Sequence, residues 1–424
     1  MRPDSHTYAL SADEKDELRD FRLQFHVPHF EDKECVYLTG NSLGLQPKGL
    51  KKYLEEEMED WAKFGVEGHF QARRPWVSYH EPFAEPLSRI VGAKEEEVVA
   101  MGSLTANLHF LMASFYAPKG KRCKIICEKK AFPSDAYALQ SQAKLHGLDP
   151  AEVIIEVSPR AGEYLIHIED ILQAIRTHGD ELALVMIGGV NYYSGQVFDM
   201  KRITEAGHAV GAKVGFDLAH AVGNVLLSLH DWRVDFAAWC SYKYLNSGPG
   251  GVAGIYVHED HAQNKDLLRL AGWWGHDKER RFLMEPDFDP IPTAESWQVS
   301  NAPVFALACH KAALDQHDKA GMSALRKKSL ALTSFLEKVI KEVAEDQGDN
   351  GFEIITPTDP NQRGSQLSIL VHGHGKPLFD KLSDQGVIAD WREPNVIRIA
   401  PVPIYNSFMD CYRFGEALEK ALKA

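Results

Sequence analysis

Lys243 stands in Ser241-Tyr242-Lys243-Tyr244, downstream of Phe216-Asp217-Leu218-Ala219-His220. A lysine amine that condenses with an aldehyde, set against a carboxylate that keeps a pyridine nitrogen protonated, makes an electron sink for chemistry at an amino acid's α-carbon. Asp217 follows the apolar run Val214-Gly215-Phe216, which reads as a buried strand. Its carboxylate should therefore emerge at the strand's carboxyl end, where open sheets bind cofactors. Lys243 follows a second apolar run, Phe236-Ala237-Ala238-Trp239-Cys240, so both groups can project into one crevice from neighbouring strands. Taken singly, Asp217 reads equally as the cap of a following helix and Lys243 as a solvated surface lysine.

The rest of the pattern makes the pair chemical. Val98 to Met101 reads as a strand, Gly102-Ser103-Leu104-Thr105 as a turn, and Leu108, Leu111, Met112 and Phe115 repeat at helical spacing. A helix start of this kind binds phosphate through its free N–H groups, with Gly102 allowing close approach and Ser103 or Thr105 capping or donating. An ordinary capped helix would look the same. A second loop, Phe132-Pro133-Ser134-Asp135, follows the strand-like Ile125-Ile126-Cys127. Phe132 either covers a ring face or packs in the core, and Asp135 could orient ring substituents. His220 either meets the Asp217 carboxylate or the cofactor, or is a satisfied structural histidine. Tyr242 points away if the strand continues to it, and in a turn it reaches phosphate or donates a proton. The assembled reading is a pyridoxal 5'-phosphate site. Gly248, Gly250, Gly251 and Gly254 do not form a dinucleotide fingerprint, because Pro249 interrupts them and Gly254 leads into a strand. They read as allowing tight backbone packing beside the lysine. Arg398, in Asn395-Val396-Ile397-Arg398-Ile399-Ala400-Pro401, is either a bidentate carboxylate clamp or an exposed position on an alternating strand.

These residues resemble the kynureninase family, in the fold type I (aspartate aminotransferase) superfamily of pyridoxal phosphate enzymes. The resemblance is carried by FDLAHAVGN, DWRVDFAAWCSYKYLNSGPGG, Tyr37 to Gly44, Arg74-Pro75-Trp76, Phe132 to Asp135, Gly272-Trp273-Trp274-Gly275-His276, Ser300-Asn301 and Arg398 to Pro403, in order over most of the chain. It implies Lys243 as the lysine bonded to the cofactor and Asp217 as the partner of the ring nitrogen. Leu104, Thr105, Phe132, Pro133, Ser134, Asp135, His220 and Tyr242 would complete the cofactor shell. Trp273 and Asn301 resemble residues that approach from around a homodimer interface, His69 and Asn301 match positions at the substrate's aromatic end, and Arg398 matches the carboxylate clamp. Gly188 stands where some members carry a serine, so only backbone contacts are expected there. The implied reaction is hydrolysis of L-kynurenine or 3-hydroxy-L-kynurenine to L-alanine and anthranilate or 3-hydroxyanthranilate, with Tyr242 as proton relay. Polar His69 and Asn301 lean the expectation towards the 3-hydroxy substrate. A cysteine desulfurase would need a mobile cysteine, and neither Cys309 nor Cys411 lies in a glycine-rich loop. A noncatalytic cofactor carrier would not need Arg398.

A chain of 424 residues with 44% hydrophobic content supports two or three globular domains. The expectation is an α/β fold. Residues 66–305 should form a large doubly wound mixed-sheet domain and 306–424 a smaller α+β domain, with 1–65 as an N-terminal segment and linker helix packing with the latter. That helix reads from Pro47 through Trp61, and Asp346 to Asn350 reads as a loop. The net charge of −13 argues against nonspecific binding to nucleic acid or anionic membranes. Six scattered cysteines lack metal-ligand spacing, so no metal is expected, and they read as reduced thiols. With no apolar leader core in Met1 to Ala12 and no spanning apolar stretch, a cytoplasmic protein is the expectation.

Overall fold

Apolar runs that are buried on both faces build the larger of two main sheets. In the computed structural model, which describes residues 3–347 and 351–423, they are Val98–Ala100 (β1), Lys124–Glu128 (β2), Ile154–Val157 (β3), Leu182–Gly188 (β4), Lys213–Asp217 (β5), Phe236–Cys240 (β6) and Ala253–Val257 (β7). Their spatial order is β1-β7-β6-β5-β4-β2-β3. Strands β2 to β6 pair in parallel, and β7 runs antiparallel to both neighbours. Alternate residues feed two separate cores: Ile126, Val185, Phe216 and Trp239 on one face, Ile125, Leu184, Phe236 and Ala238 on the other. Strict alternation with both faces covered explains why these strands read as continuous apolar runs.

The helices that matter below are Pro3–Glu14 (α1), Leu50–Phe64 (α2), Leu104–Phe115 (α3), Pro133–Leu145 (α4), Val304–Ala320 (α5), Met322–Gln347 (α6) and Phe408–Lys423 (α7). A second sheet, Phe352–Ile354 (β8), Leu367–Val371 (β9), Asp390–Arg392 (β10) and Val396–Ile399 (β11), is antiparallel in the order β8-β9-β11-β10. Leu336 and Val339 of α6 and Phe414 and Leu418 of α7 cover it. Ala9 of α1 enters that same core, Ser5 Oγ donates to Glu342 Oε2 of α6 at 2.7 Å, and Val36–Tyr37 pairs in parallel with Val387–Ile388. Among the described residues, no helix is long and apolar enough to cross a membrane.

Three local expectations change. The linker helix starts at Leu50, not Pro47, because Pro47 pairs antiparallel with Phe25 and the burial of Phe25 holds the residue in an extended strand. Asp346 and Gln347 extend α6, while 348–350 of the expected loop lie outside the described residues. Helix α5 begins at the proposed 305/306 boundary yet places Leu307, Ala308 and Leu314 in the large-sheet core. We therefore propose the division at Gly321, between α5 and α6.

Candidate active site

The chemistry-bearing residues gather where strands end. Glu128 closes β2, Gly188 closes β4, Asp217 closes β5, and Lys243 lies in the turn after β6. Chain connectivity reverses between neighbouring β2 and β4, which makes that edge a topological switch point and opens a crevice beyond the strand ends. Its walls are Ser103, Leu104 and Thr105 at the start of α3, Phe132, Ser134 and Asp135 at the start of α4, Val190, Tyr192, Ala219, His220, Tyr242 and the four strand-end residues.

Lys243 Nζ lies 3.0 Å from His220 Nε2 and 5.8 Å from the centre of the Phe132 ring. Burial, reinforced by the charges of Lys243, Arg398 and Arg392, pushes the His220 pKa well down, so the imidazole is neutral. A lysine ammonium only donates, so Nε2 accepts and the hydrogen resides on Nδ1, a buried atom without a partner. Asp135 and Asp217 lie side by side on the crevice wall. Two buried carboxylates side by side repel one another. One therefore keeps a proton. It is Asp135, whose pKa burial raises first, followed by Asp217 and Glu128. Asp217 Oδ1 also accepts from Ala219 N at 2.7 Å, so it caps the following turn as well as facing the crevice.

These residues fit a phosphorylated pyridine aldehyde. Ser103 makes no side-chain cap bond, which leaves the N–H groups at the start of the 12-residue α3 facing the crevice. Thr105 Oγ1 and Ser134 Oγ are 2.7 Å apart and keep further hydrogen-bonding capacity beside that helix start. The orphaned Asp135 Oδ1 and the crowded carboxylates call for a cation beside them, as a protonated ring nitrogen provides. Phe132 is 39% exposed, so it is a crevice wall and not a core residue.

The sequence expectations fare unevenly in detail. Leu104, Thr105, Phe132, Ser134, Asp135, Gly188, Asp217, His220, Tyr242 and Lys243 come together in the crevice. Phe132 to Asp135 is the start of α4, with Pro133 in its first turn, and not a loop. The strand ends at Cys240, which frees Tyr242 to turn towards the crevice, and burial pushes its hydroxyl pKa up, so it holds its proton. Gly248 and Gly250 have φ of +93° and +65° with open space where a side chain would sit, so they serve the turn and not close packing. Arg398 is buried, not an exposed strand position, because its guanidinium donates to Asp390 and, at 2.6 Å, to the Tyr192 carbonyl just behind the crevice wall.

His69, Trp273 and Asn301 do not reach this crevice within one chain. His69 Nδ1 donates to the Val66 carbonyl 2.9 Å away and the ring meets Trp76 edge-on, Trp273 Nε1 donates to the Arg281 carbonyl, and Asn301 is exposed. His69 lies on the short helix Gly68–Gln71 and Trp273 opens the single 3-10 turn Trp273–Gly275, and the contacts of both are local. Glu128 and Tyr192 were missed. Glu128 obeys the same rule that exposes Asp217, an acid ending an apolar strand, and that signal was available. Outside the crevice, Glu97, His230 and His258 bring ligand-type atoms within 4.8 Å of one another, with Glu97 and His230 already joined by a 2.9 Å hydrogen bond.

Comparison with known proteins agrees with this geometry. Residues 325–418 match the kynureninase C-terminal domain, and residues 76–263 match the DegT/DnrJ/EryC1/StrS aminotransferase family. The chain is 57% identical to a kynureninase of Flavobacterium johnsoniae over 98% of its length and 97% of the relative's. It is 53% identical to that of Myxococcus xanthus, covering 98% and 97%. A cysteine desulfurase from Escherichia coli superposes with a TM-score of 0.75 at 17% identity, covering 96% of this chain and 98% of that one. That likeness shows the shared α/β fold of pyridoxal phosphate enzymes and nothing finer. With a near-complete match to kynureninases at more than half identity, and a lysine and carboxylate facing one crevice at the strand ends, the chain belongs to the kynureninase family.

Proposed function

We propose that this protein hydrolyses L-kynurenine to L-alanine and anthranilate, using pyridoxal 5'-phosphate. The observation that carries the reading is that Lys243 and Asp217 line one crevice together with a helix start suited to phosphate. When bound, the cofactor supplies an electron sink conjugated with the substrate's α-carbon. Lys243 Nζ, held by neutral His220, carries the proton to and from that carbon. Asp217 holds the proton on the ring nitrogen. Tyr242, which keeps its phenolic proton, relays a proton to the retained β-carbon, which keeps the bonding pair when the ring fragment leaves. Water adds to the side-chain ketone, the Cβ–Cγ bond breaks, and the ketone carbon leaves as the carboxylate of anthranilate. Arg398 clamps the substrate α-carboxylate, exchanging part of its pairing with Asp390.

His69, Trp273 and Asn301 act in this reading from a second copy of the chain, whose surface segments complete the crevice of the first in a homodimer. The acidic balance supports a small-molecule enzyme without nucleic-acid or membrane partners, working in the cytoplasm. The desulfurase reading is not favoured, since Cys309 and Cys411 lie on helices and Cys411 is buried. A noncatalytic carrier has no feature in its favour.

Steady-state turnover of L-kynurenine and 3-hydroxy-L-kynurenine side by side, following alanine and the aromatic product, tests the reaction. Turnover of neither by cofactor-loaded protein rejects it. We place His69 and Asn301 at the ring hydroxyl, because a site built to bind a hydroxyl leaves its polar groups unpaired with the analogue that lacks one. His69→Phe and Asn301→Ala are expected to lower the kcat/KM ratio of the 3-hydroxy substrate over kynurenine by about tenfold. An unchanged ratio removes both residues from that role.

A further inference from the structure

Glu128 has no part in the reaction described above, yet it is a crevice-wall acid that is 4% exposed. It closes β2 at the switch point, and its two oxygens accept from Gly188 N at 3.2 Å each, tying the tips of β2 and β4 together. A Cβ on Gly188 would stand 3.0 Å from Glu128 Oε1, so the absence of a side chain there leaves room for the carboxyl group. The groups facing it are acids: Asp217 from the end of β5 and Asp135 from α4, with the Cys127 thiol beside it on β2. The facing cation of the crevice is Lys243, opposed by neutral His220. A fully buried acid held only by backbone N–H groups, its own and that of Gly188, is under-served by the protein alone. Its surroundings make sense when a positive group enters the crevice.

We propose that Glu128 is a positioning residue for the cofactor, a second negative charge behind Asp217 that holds the protonated ring nitrogen while its backbone bridge fixes the tip of β4. This rests on the pyridoxal phosphate reading of the site. Burial, opposed by the two backbone hydrogen bonds and increased by Asp217, pushes its carboxyl up to about 7. Glu128 is therefore neutral in mildly acid solution and charged in mildly alkaline solution, and its contribution to ring binding appears only in the latter.

The test uses full-length apoprotein and pyridoxamine 5'-phosphate, which has the ring and phosphate but cannot condense with Lys243. Its Kd is measured by calorimetry from pH 5.5 to 8.5 for the wild type, Glu128→Gln and Glu128→Asp. Glutamine keeps an acceptor for Gly188 N and removes the charge. The Gln-to-wild-type Kd ratio is expected near one at pH 5.5 and on the order of tenfold at pH 8.5. A ratio that is flat across the range, whether at one or above it, overturns the proposal, because a purely structural bridge has no such pH profile. Should the Gln variant fail to fold, Glu128→Asp decides. Its shorter charge should retain the wild-type pH trend with weaker binding, and loss of the trend with charge kept counts against the idea. Failure of the wild type to bind the probe at any pH would instead overturn the cofactor reading of the crevice, and the proposal with it.

Discussion

Lys243→Ala is expected to reduce kynurenine turnover by at least ~10³-fold while leaving a folded protein. Two losses combine. In the proposed mechanism the amine that bonds the cofactor's aldehyde carbon disappears, and so does the group that moves the substrate's α-proton, itself worth roughly 10² to 10⁴ in rate. The structural cost is small by comparison. Lys243 is partly buried and its side-chain hydrogen bond goes to His220 Nε2. Deletion leaves one buried acceptor unsatisfied, at about 1 to 3 kcal/mol. Lys243→Arg separates the two roles from mere charge: it keeps a donor for His220 but stays protonated and forms no bond to the cofactor. It should be as inactive as the alanine variant. Both are checked by product formation and by the absorbance of bound cofactor, with far-ultraviolet circular dichroism as the folding control. Activity of either within tenfold of wild type would transfer the proton-carrying role to another residue.

What could be read from the chain depended on whether a residue's neighbours were sequential or spatial. Asp217 and Lys243 were legible because each follows an apolar run buried on both sheet faces, so the polar residue marks the strand end. Glu128 ends a run of the same kind, but Lys129 and Lys130 follow it and make the segment resemble a solvated charged turn. Tyr192 sits in a turn organised by Asn191, whose side chain accepts from the Tyr193 and Ser194 N–H groups, and no periodicity announces it. The burial of Arg398 follows from cross-strand register: Asp390 stands opposite it on β10, a pairing that appears only once the small sheet is assembled. Pro47 carried a helix-start signal that the pairing with Phe25 overrode. His69, Trp273 and Asn301 were named through family resemblance alone. A single chain leaves them on the surface, because whatever would draw them to the crevice is not local to their segments.

Asp217→Asn should lower kcat by about 10² to 10⁴ while the cofactor remains bound. The substitution keeps the shape and an acceptor for Ala219 N but removes the charge proposed to hold the ring-nitrogen proton. The helix start of α3 with Thr105 and Ser134, which we propose holds the phosphate, and the crevice wall Phe132 are untouched, so affinity should fall much less than rate. The neighbouring Asp135 gives this variant a distinctive pH dependence. Its pKa is raised by burial first, then by the charge of Asp217. Removing that charge leaves the burial cost in place and lifts the repulsion, so the Asp135 pKa should fall towards its ordinary range. As pH rises, Asp135 then ionises beside the vacated position and substitutes in part for the lost carboxylate. Residual activity of Asp217→Asn should therefore climb with pH more steeply than that of the wild type, and the added Asp135→Asn change should cut the climb back to the part that ionisation of Glu128 supplies. The kcat–pH profiles of the three proteins decide it. A single variant with near-native kcat would remove Asp217 from its role, and a double variant with an undiminished climb would mean that Asp135 is not the substitute. In either case the charge facing the ring would have to come from elsewhere in the crevice, where Glu128 is the remaining carboxylate on its wall.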